Sequence, residues 1–570
     1  MLTKLTVRNF KQFEDVTVEL DNVVVFVGPN DSGKTTALQA LSLWGLGLRR
    51  WRELRGTTRT RPFSPGGTIN RLDLLSVPVR QTNLLWRGLQ TRRHREGEGR
   101  PSIENVRIEI IVEGVSSTGE EWVCGLAFGY ANPESIYCRP LRIDDGEERM
   151  AIPNAALEER VVFLPPMSGL SSTEVLLQPG AVNVLIGEGR TAEVLRNLCY
   201  EVYQQPGNDL WNEVLTPLMQ KIFGATVLPP QYNSERGEIT LHYKDAYMPN
   251  RELDLSSSGR GFQQTLLLAA YMLLNPNSVV LLDEPDAHLE VLRQREIYQA
   301  ITETAEQQRS QLVIATHSEI ILNEAAGRHT VTAFIGTPHR MDGRSSQVFK
   351  ALSEIGFEHY LQARQKGWVL YLEGSTDLAI LQAFSRRLQH PAEYVLTRPY
   401  VHYVGNQPMQ ARQHFWGLRE ALPSLKGYAL FDRLDRGLPS DIHDDLQEYT
   451  WAKREIENYF CSPKVLERWV ESGHNVPLSR SLMVDAIEEI ESALQTVNLS
   501  SPWDGDLNVS EQFLPPVFTA FYKKLGEFNT MSKSDYHTLV DHIEPDEIDL
   551  EVIAVLDAIA EVADSATVPR

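Results

Sequence analysis

At 570 residues with a net charge of −21, the chain is too long for a single hydrophobic core and too acidic to coat nucleic acid through its whole surface. The apolar fraction of 42% and charged fraction of 23% are those of ordinary globular protein, and two or more domains are expected. Four dispersed cysteines (Cys124, Cys138, Cys199, Cys461) without a CxxC pair indicate neither a zinc site nor a disulfide framework, and no apolar run or leader core points to a membrane, so a cytoplasmic setting is expected.

In chain order, Leu5–Phe10 and Val16–Leu20 alternate like two strands of a hairpin. The apolar run Val23–Val27 follows, then Gly28-Pro29-Asn30-Asp31-Ser32-Gly33-Lys34-Thr35-Thr36, then the helix formers from Ala37 to Leu41. Strand, glycine-rich loop and helix together satisfy every fixed position of the phosphate-loop pattern G-x-x-x-x-G-K-[ST]. Loop amides and the helix N-terminus face the phosphates, Lys34 reaches the β and γ phosphates, and the Thr35 hydroxyl ligates Mg²⁺. The pattern therefore predicts ATP or GTP binding, with Asn30, Gly33, Lys34, Thr35 and Thr36 at the nucleotide.

Residues 49–100 carry thirteen arginines against four acids, an insert that either holds a phosphate backbone or is a solvated surface; its first part, 49–67, reads as a loop. Residues 103–129 alternate like sheet, 161–164 is a short buried strand, and 191–223 is helical with Val194, Leu198 and Val202 on one face. Leu255-Ser256-Ser257-Ser258-Gly259-Arg260-Gly261 precedes a helix expected from Thr265 to Leu274, which is either an anion site or an ordinary serine cap. The buried run Val279–Leu282 ends in Asp283 and Glu284, and the run Gln311–Thr316 ends in His317. Ligands sit at the carboxyl ends of such parallel strands. Asp283 there suits Mg²⁺, and Glu284 suits orienting and deprotonating a water.

These four motifs together resemble the ATPase head shared by ABC transporters and SMC-like repair proteins. The resemblance covers residues 1–355 and implies that Ser258, Gly259 and Arg260 close over ATP held by a second copy, so ATP pairs two heads. It also makes His317 the switch residue and Gln81 a candidate Mg²⁺ contact. Neither membrane spans nor long heptad arms accompany the motifs, which weakens the transporter and SMC readings.

A boundary is expected at Gly356–Gly367, where the pattern restarts. Trp368–Leu372 reads as a buried strand ending at Glu373-Gly374, with Asp377 opening a helix. Lys426–Phe431 is a second such strand, ending at Asp432 with Asp435 beyond. Parallel pairing of the two gathers Glu373, Asp377, Asp432 and Asp435, hard oxygen donors that suit Mg²⁺ or Mn²⁺. These residues resemble a Toprim domain, although Leu434 stands where that pattern has its second aspartate. The resemblance assigns residues 356–465 to the Toprim-like core, makes Glu373 and Asp432 catalytic, and adds Glu457 as a metal ligand with Glu455 second. Residues 466–570 are expected to be an acidic helical extension whose last fifteen or so residues fray; Lys533 within it is either a phosphate contact or a surface lysine.

The fold class expected is thus α/β: an ABC/SMC-like P-loop ATPase head, then a smaller Toprim-like parallel domain and a helical C-terminal segment. That order resembles the OLD (overcoming lysogenisation defect) family, related to the Gabija and PARIS phage-defence proteins. The resemblance implies a bacterial cytoplasmic defence protein that uses ATP and Mg²⁺ in its head and Mg²⁺ or Mn²⁺ in a nuclease site. It further implies a homodimer or larger assembly through the heads, nucleic acid (DNA first) as target, and a phage-encoded trigger or separate effector. Two rivals are an ATPase scaffold whose Toprim-like domain binds without cutting, and an SMC-like repair ATPase.

Overall fold

Val23–Val27 and Val279–Asp283, continuous in apolar residues but for the final aspartate, are strands buried along their whole length, as runs with no polar alternation must be. The computed structural model describes residues 1–57, 67–95, 102–143, 148–206, 209–245, 248–334, 336–341, 356–434, 437, 444–473 and 478–566. The chain divides into two compact units, Met1–Phe349 and Lys350–Arg570.

The first unit contains a six-stranded sheet ordered Val161–Leu164, Val279–Asp283, Gln311–Thr316, Val23–Val27, Thr330–Ala333 and His339–Met341. All neighbours are parallel except the last pair. A second six-stranded sheet is antiparallel and runs Phe13–Glu19, Leu2–Phe10, Ile108–Val115, Glu121–Asn132, Ser135–Pro140 and Gly67–Asn70. Helix Lys34–Thr57 buries Leu38, Leu41, Trp44 and Leu48 in the core that both sheets share. Trp44 fixes it there by donating its indole N–H to the Cys124 carbonyl at 3.1 Å and stacking on Trp122.

Two expectations for this unit are corrected. Residues 49–57 are not loop but the last turns of helix Lys34–Thr57; leucine, arginine and tryptophan are adequate helix formers, and Leu48 anchors the stretch. The helix after the serine-rich segment starts at Arg260, not Thr265. In the arginine-rich region, Arg50 pairs with Glu53 and Asp73, Arg71 with Glu134 and Arg87 with Glu14, while Arg49, Arg52, Arg80, Arg92 and Arg93 are exposed. Arg59, Arg61 and Arg100 lie outside the described residues.

The second unit is built on four parallel strands ordered Val401–Tyr403, Trp368–Leu372, Lys426–Phe431 and Leu446–Thr450. Side chains alternate between its faces. Trp368, Leu370, Leu372, Tyr428 and Leu430 enter one core with helix Ser375–Leu388 and the helices between Pro463 and Ser565. The stretch Gly356–Gly367, where a boundary was expected, holds helix Phe357–Lys366, bracketed by its two glycines at φ 97° and 74°, and the two units divide shortly before it, between Phe349 and Lys350. As far as Ala566, the last described residue, the C-terminal stretch is not frayed: helix Leu550–Ser565 buries Val552, Val555, Leu556, Ile559 and Val562, and residues 567–570 lie outside the described residues. All four cysteines are buried and free. Among the described residues, no helix is long and apolar enough to cross a membrane.

Candidate functional site

The phosphate loop leaves strand Val23–Val27 and re-enters helix Lys34–Thr57 through Gly33 at φ 106°, a backbone conformation that glycine alone adopts freely. A Cβ on Gly33 would also sit 2.5 Å from the Gln12 amide nitrogen. A cavity of about 250 Å³ opens over the loop, lined by Gln12, Asn30 to Thr36 and Glu284. Lys34 is buried and donates to the Gly28 and Pro29 carbonyls, both at 2.7 Å; burial lowers its pKa against the pull of Glu284, Asp283 and Asp286.

Parallel pairing puts the end of Val279–Asp283 beside that of Gln311–Thr316, whose other neighbour is the phosphate-loop strand. The Thr35 hydroxyl accordingly donates to Asp283, 3.0–3.1 Å from its two oxygens. Burial pushes Asp283 up to about 6. Hydroxyl and carboxylate in contact form an all-oxygen pair that fits Mg²⁺. Glu284 follows at φ 49°, rare for a residue with a Cβ, and its Oε1 is 3.4 Å from His317 Nδ1. Thus Lys34, Thr35, Asp283, Glu284 and His317 come together. Gln81 does not join them; it is exposed and outside the cavity lining.

Two residues here escaped the sequence reading. Gln12 sits in the turn between Leu2–Phe10 and Phe13–Glu19, where no pattern marks it. Asp286 was visible as a third acid after Asp283-Glu284; buried, it accepts from the Thr316 hydroxyl at 2.7 Å and ties the two strand ends together. Ser258, Gly259 and Arg260 lie at the start of helix Arg260–Leu273 and line no part of the cavity. Gly259 and Arg260 are exposed, and Ser258 donates its hydroxyl to the Leu255 carbonyl at 2.7 Å. A larger cavity, about 450 Å³, lies elsewhere in this unit and carries none of the motif residues.

In the second unit, Tyr371 is in register with Ala429, so Glu373 and Asp432 leave adjacent strands side by side. Their carboxyls share a hydrogen bond. Asp377, in the first turn of helix Ser375–Leu388, accepts from the Glu373 and Gly374 amides at 3.0 and 3.2 Å. The turn Ile456–Tyr459 brings Glu457 within electrostatic range of Asp377 and Asp432. Burial, then carboxylate neighbours, pushes Asp377 up to about 6, Glu457 up to about 8 and Asp432 well above the usual range. Carboxylate neighbours that repel one another favour a cation among them, and oxygen donors of this kind suit Mg²⁺ or Mn²⁺. Glu455 is occupied otherwise: it accepts from the Ser510 amide and hydroxyl at 2.6 and 3.0 Å. Exposed Lys533 opposes the upward shifts of both Glu455 and Glu457. Asp435 lies outside the described residues.

Residues 1–44, which contain the phosphate loop, match a family described as "AAA ATPase domain". Residues 233–323, which contain Ser258–Arg260, Asp283, Glu284 and His317, match one described as "AAA domain, putative AbiEii toxin, Type IV TA system". Over 349 residues the chain is 23% identical to the "OLD nuclease" of Thermus scotoductus. The chain is thus similar in sequence to an OLD nuclease. The match takes in 56% of this chain and 59% of that OLD nuclease, so it spans little more than half of either. Among solved structures, the SMC head domain from Thermotoga maritima is 15% identical, covering 60% of this chain and 99% of that one at a TM-score of 0.31. An SMC head bound to the C-winged helix domain of ScpA gives 15%, 60% and 97% at 0.35.

Proposed function

We propose that this chain is an ATP-hydrolysing bacterial antiphage defence protein whose ATPase unit controls a metal-dependent Toprim endonuclease. The observation that carries the reading is the gathering of Glu373, Asp377, Asp432 and Glu457, from distant parts of the sequence, at the carboxyl edge of a parallel sheet. In the first unit, Lys34 neutralises the ATP phosphates, Thr35 and Asp283 hold Mg²⁺, and Glu284 orients and deprotonates the attacking water. His317, against Glu284, reports the state of that site. In the second unit, Mg²⁺ or Mn²⁺ held by the four carboxylates would supply the charge that stabilises the attacking and leaving oxygens of a phosphodiester. Asp435 is a further ligand in this proposal, and a phage-encoded trigger or separate effector is the expected partner.

The test is cleavage of supercoiled plasmid with Mg²⁺ or Mn²⁺, with and without ATP, by wild type, Lys34→Ala and Glu373→Ala. Cutting by wild type that vanishes in Glu373→Ala, with ATPase activity retained, is the expected result; the behaviour of Lys34→Ala gives the sign of nucleotide control. ATPase activity without cutting of DNA or RNA by the wild type would overturn the nuclease and favour the scaffold reading.

A further inference from the structure

The face of the second unit's sheet opposite the helical core carries a cluster of a different chemistry. His402 stands on strand Val401–Tyr403, in register with Tyr371 on the neighbouring strand. Helix Phe357–Lys366 contributes His359, and helix Pro408–Ala421 contributes His414. One ring nitrogen from each of the three histidines lies within 4.8 Å of the others. The rings of His402 and His414 stack with centroids 3.8 Å apart, and His359 stands edge-on to both.

Two of the rings are oriented from behind. His359 Nδ1 is 3.0 Å from the Tyr400 hydroxyl, and His414 Nδ1 is 2.9 Å from the Tyr371 hydroxyl. When Nδ1–H donates to the phenol oxygen, the lone pair is left on Nε2, the tautomer a metal requires. His414 Nε2 is buried and has no hydrogen-bond partner, a costly state for a polar atom unless something else occupies it. We propose that His359, His402 and His414 form a Zn²⁺ site, three imidazole ligands with a fourth position left for water or another ligand.

An all-nitrogen set selects a borderline metal such as Zn²⁺ over Mg²⁺, which separates this site chemically from the carboxylates. Nitrogens bound to one tetrahedral Zn²⁺ stand closer together than 4.8 Å, since each Zn–N bond is about 2.0–2.1 Å long. The parallel rings of His402 and His414 must therefore swing out of their stack to converge on the ion. Binding ties helix Phe357–Lys366 and helix Pro408–Ala421 to the edge strand between them. The four dispersed cysteines gave no hint of zinc; the histidines supply it instead.

The experiment is titration of the full-length protein with Co²⁺ in excess Mg²⁺, read by the visible d–d bands of four-coordinate Co²⁺, with Zn²⁺ as competitor. One equivalent per chain is expected, displaced by Zn²⁺, unchanged in Glu373→Ala and lost in His414→Gln. Tyr371→Phe, which keeps the packing and removes only the orienting hydroxyl, should weaken binding about 10–100-fold. Zn²⁺ should also raise the melting temperature of the wild type but not of His414→Gln. Absence of the bands and of the Zn²⁺ shift in wild type overturns the proposal without recourse to any variant. Bands that survive in folded His414→Gln, or that disappear in Glu373→Ala, overturn it equally.

Discussion

Glu174 is a carboxyl with almost no solvent contact, spent on closing a helix. Its oxygens accept from the Arg196 amide at 2.9 Å and from the Asn197 amide and side chain at 2.6 and 2.8 Å, at the first turn of helix Leu195–Tyr203. Burial outweighs those donors and raises the carboxyl from its ordinary 4.5 to about 7. The folded unit therefore binds a proton that the unfolded chain has already released between those two values. Because the folded-state pKa is the higher one, this contribution to stability is complete below about pH 4.5 and is lost as pH rises through about 7. Glu174→Gln cannot titrate, so the stability of wild type relative to that variant should fall from pH 5 to about pH 7.5 in urea melts. A difference that stays constant or rises would show that the donors, not burial, set the charge. Glu284 gives a kinetic counterpart. If it is the base, Glu284→Gln should lower the ATPase rate by about 10²–10⁴-fold with nucleotide affinity kept, measured by phosphate release and by fluorescent-nucleotide binding.

At the scale of elements, close contacts decide more than propensities. Gly187 ends helix Pro179–Gly187 against Leu75, and a Cβ there would fall 2.2 Å from the Leu75 Cβ and 2.9 Å from its backbone. Gly187→Ala should cost about 1–3 kcal/mol through overpacking, read as an earlier urea midpoint with an unchanged slope. The parallel strands were legible because runs such as Val23–Val27 and Gln311–Thr316 end in polar residues that chemistry needs at a strand end. Helix limits were less so. The arginines after Leu48 have the composition of a loop, and the spacing of Val552, Val555, Leu556, Ile559 and Val562, a buried helical face, was outweighed by nearness to the end of the chain. The carboxylate cluster could be anticipated, since both of its strands announce themselves. Glu457 was reachable only through resemblance. The histidine cluster was invisible: its members have no common motif and meet only through the register of Tyr371 with His402 and the packing of two helices over that face.

For the whole molecule, the question is why a complete ATP-binding sequence has its serine–glycine segment away from its own phosphate loop. Gly259 and Arg260 are exposed, and neither they nor Ser258 reach the cavity over Lys34. Such a segment presents an amide-rich helix start to solvent, where a phosphate brought by another molecule would be stabilised. ATP held at Lys34 in one copy and covered by Ser258-Gly259-Arg260 of a second satisfies both halves at once. If that is so, pairing depends on nucleotide and is longest-lived when hydrolysis is blocked. Light scattering after size exclusion should then show Glu284→Gln gaining mass with ATP and Mg²⁺ relative to nucleotide-free protein. Lys34→Ala should fail to respond because it binds no nucleotide. Arg260→Glu should bind nucleotide and still fail, because the defect lies in the partner's cover and not in the pocket. Full assembly of Arg260→Glu with ATP would refute closure in trans, whereas its loss alongside normal nucleotide affinity would separate the two halves of the site into two chains.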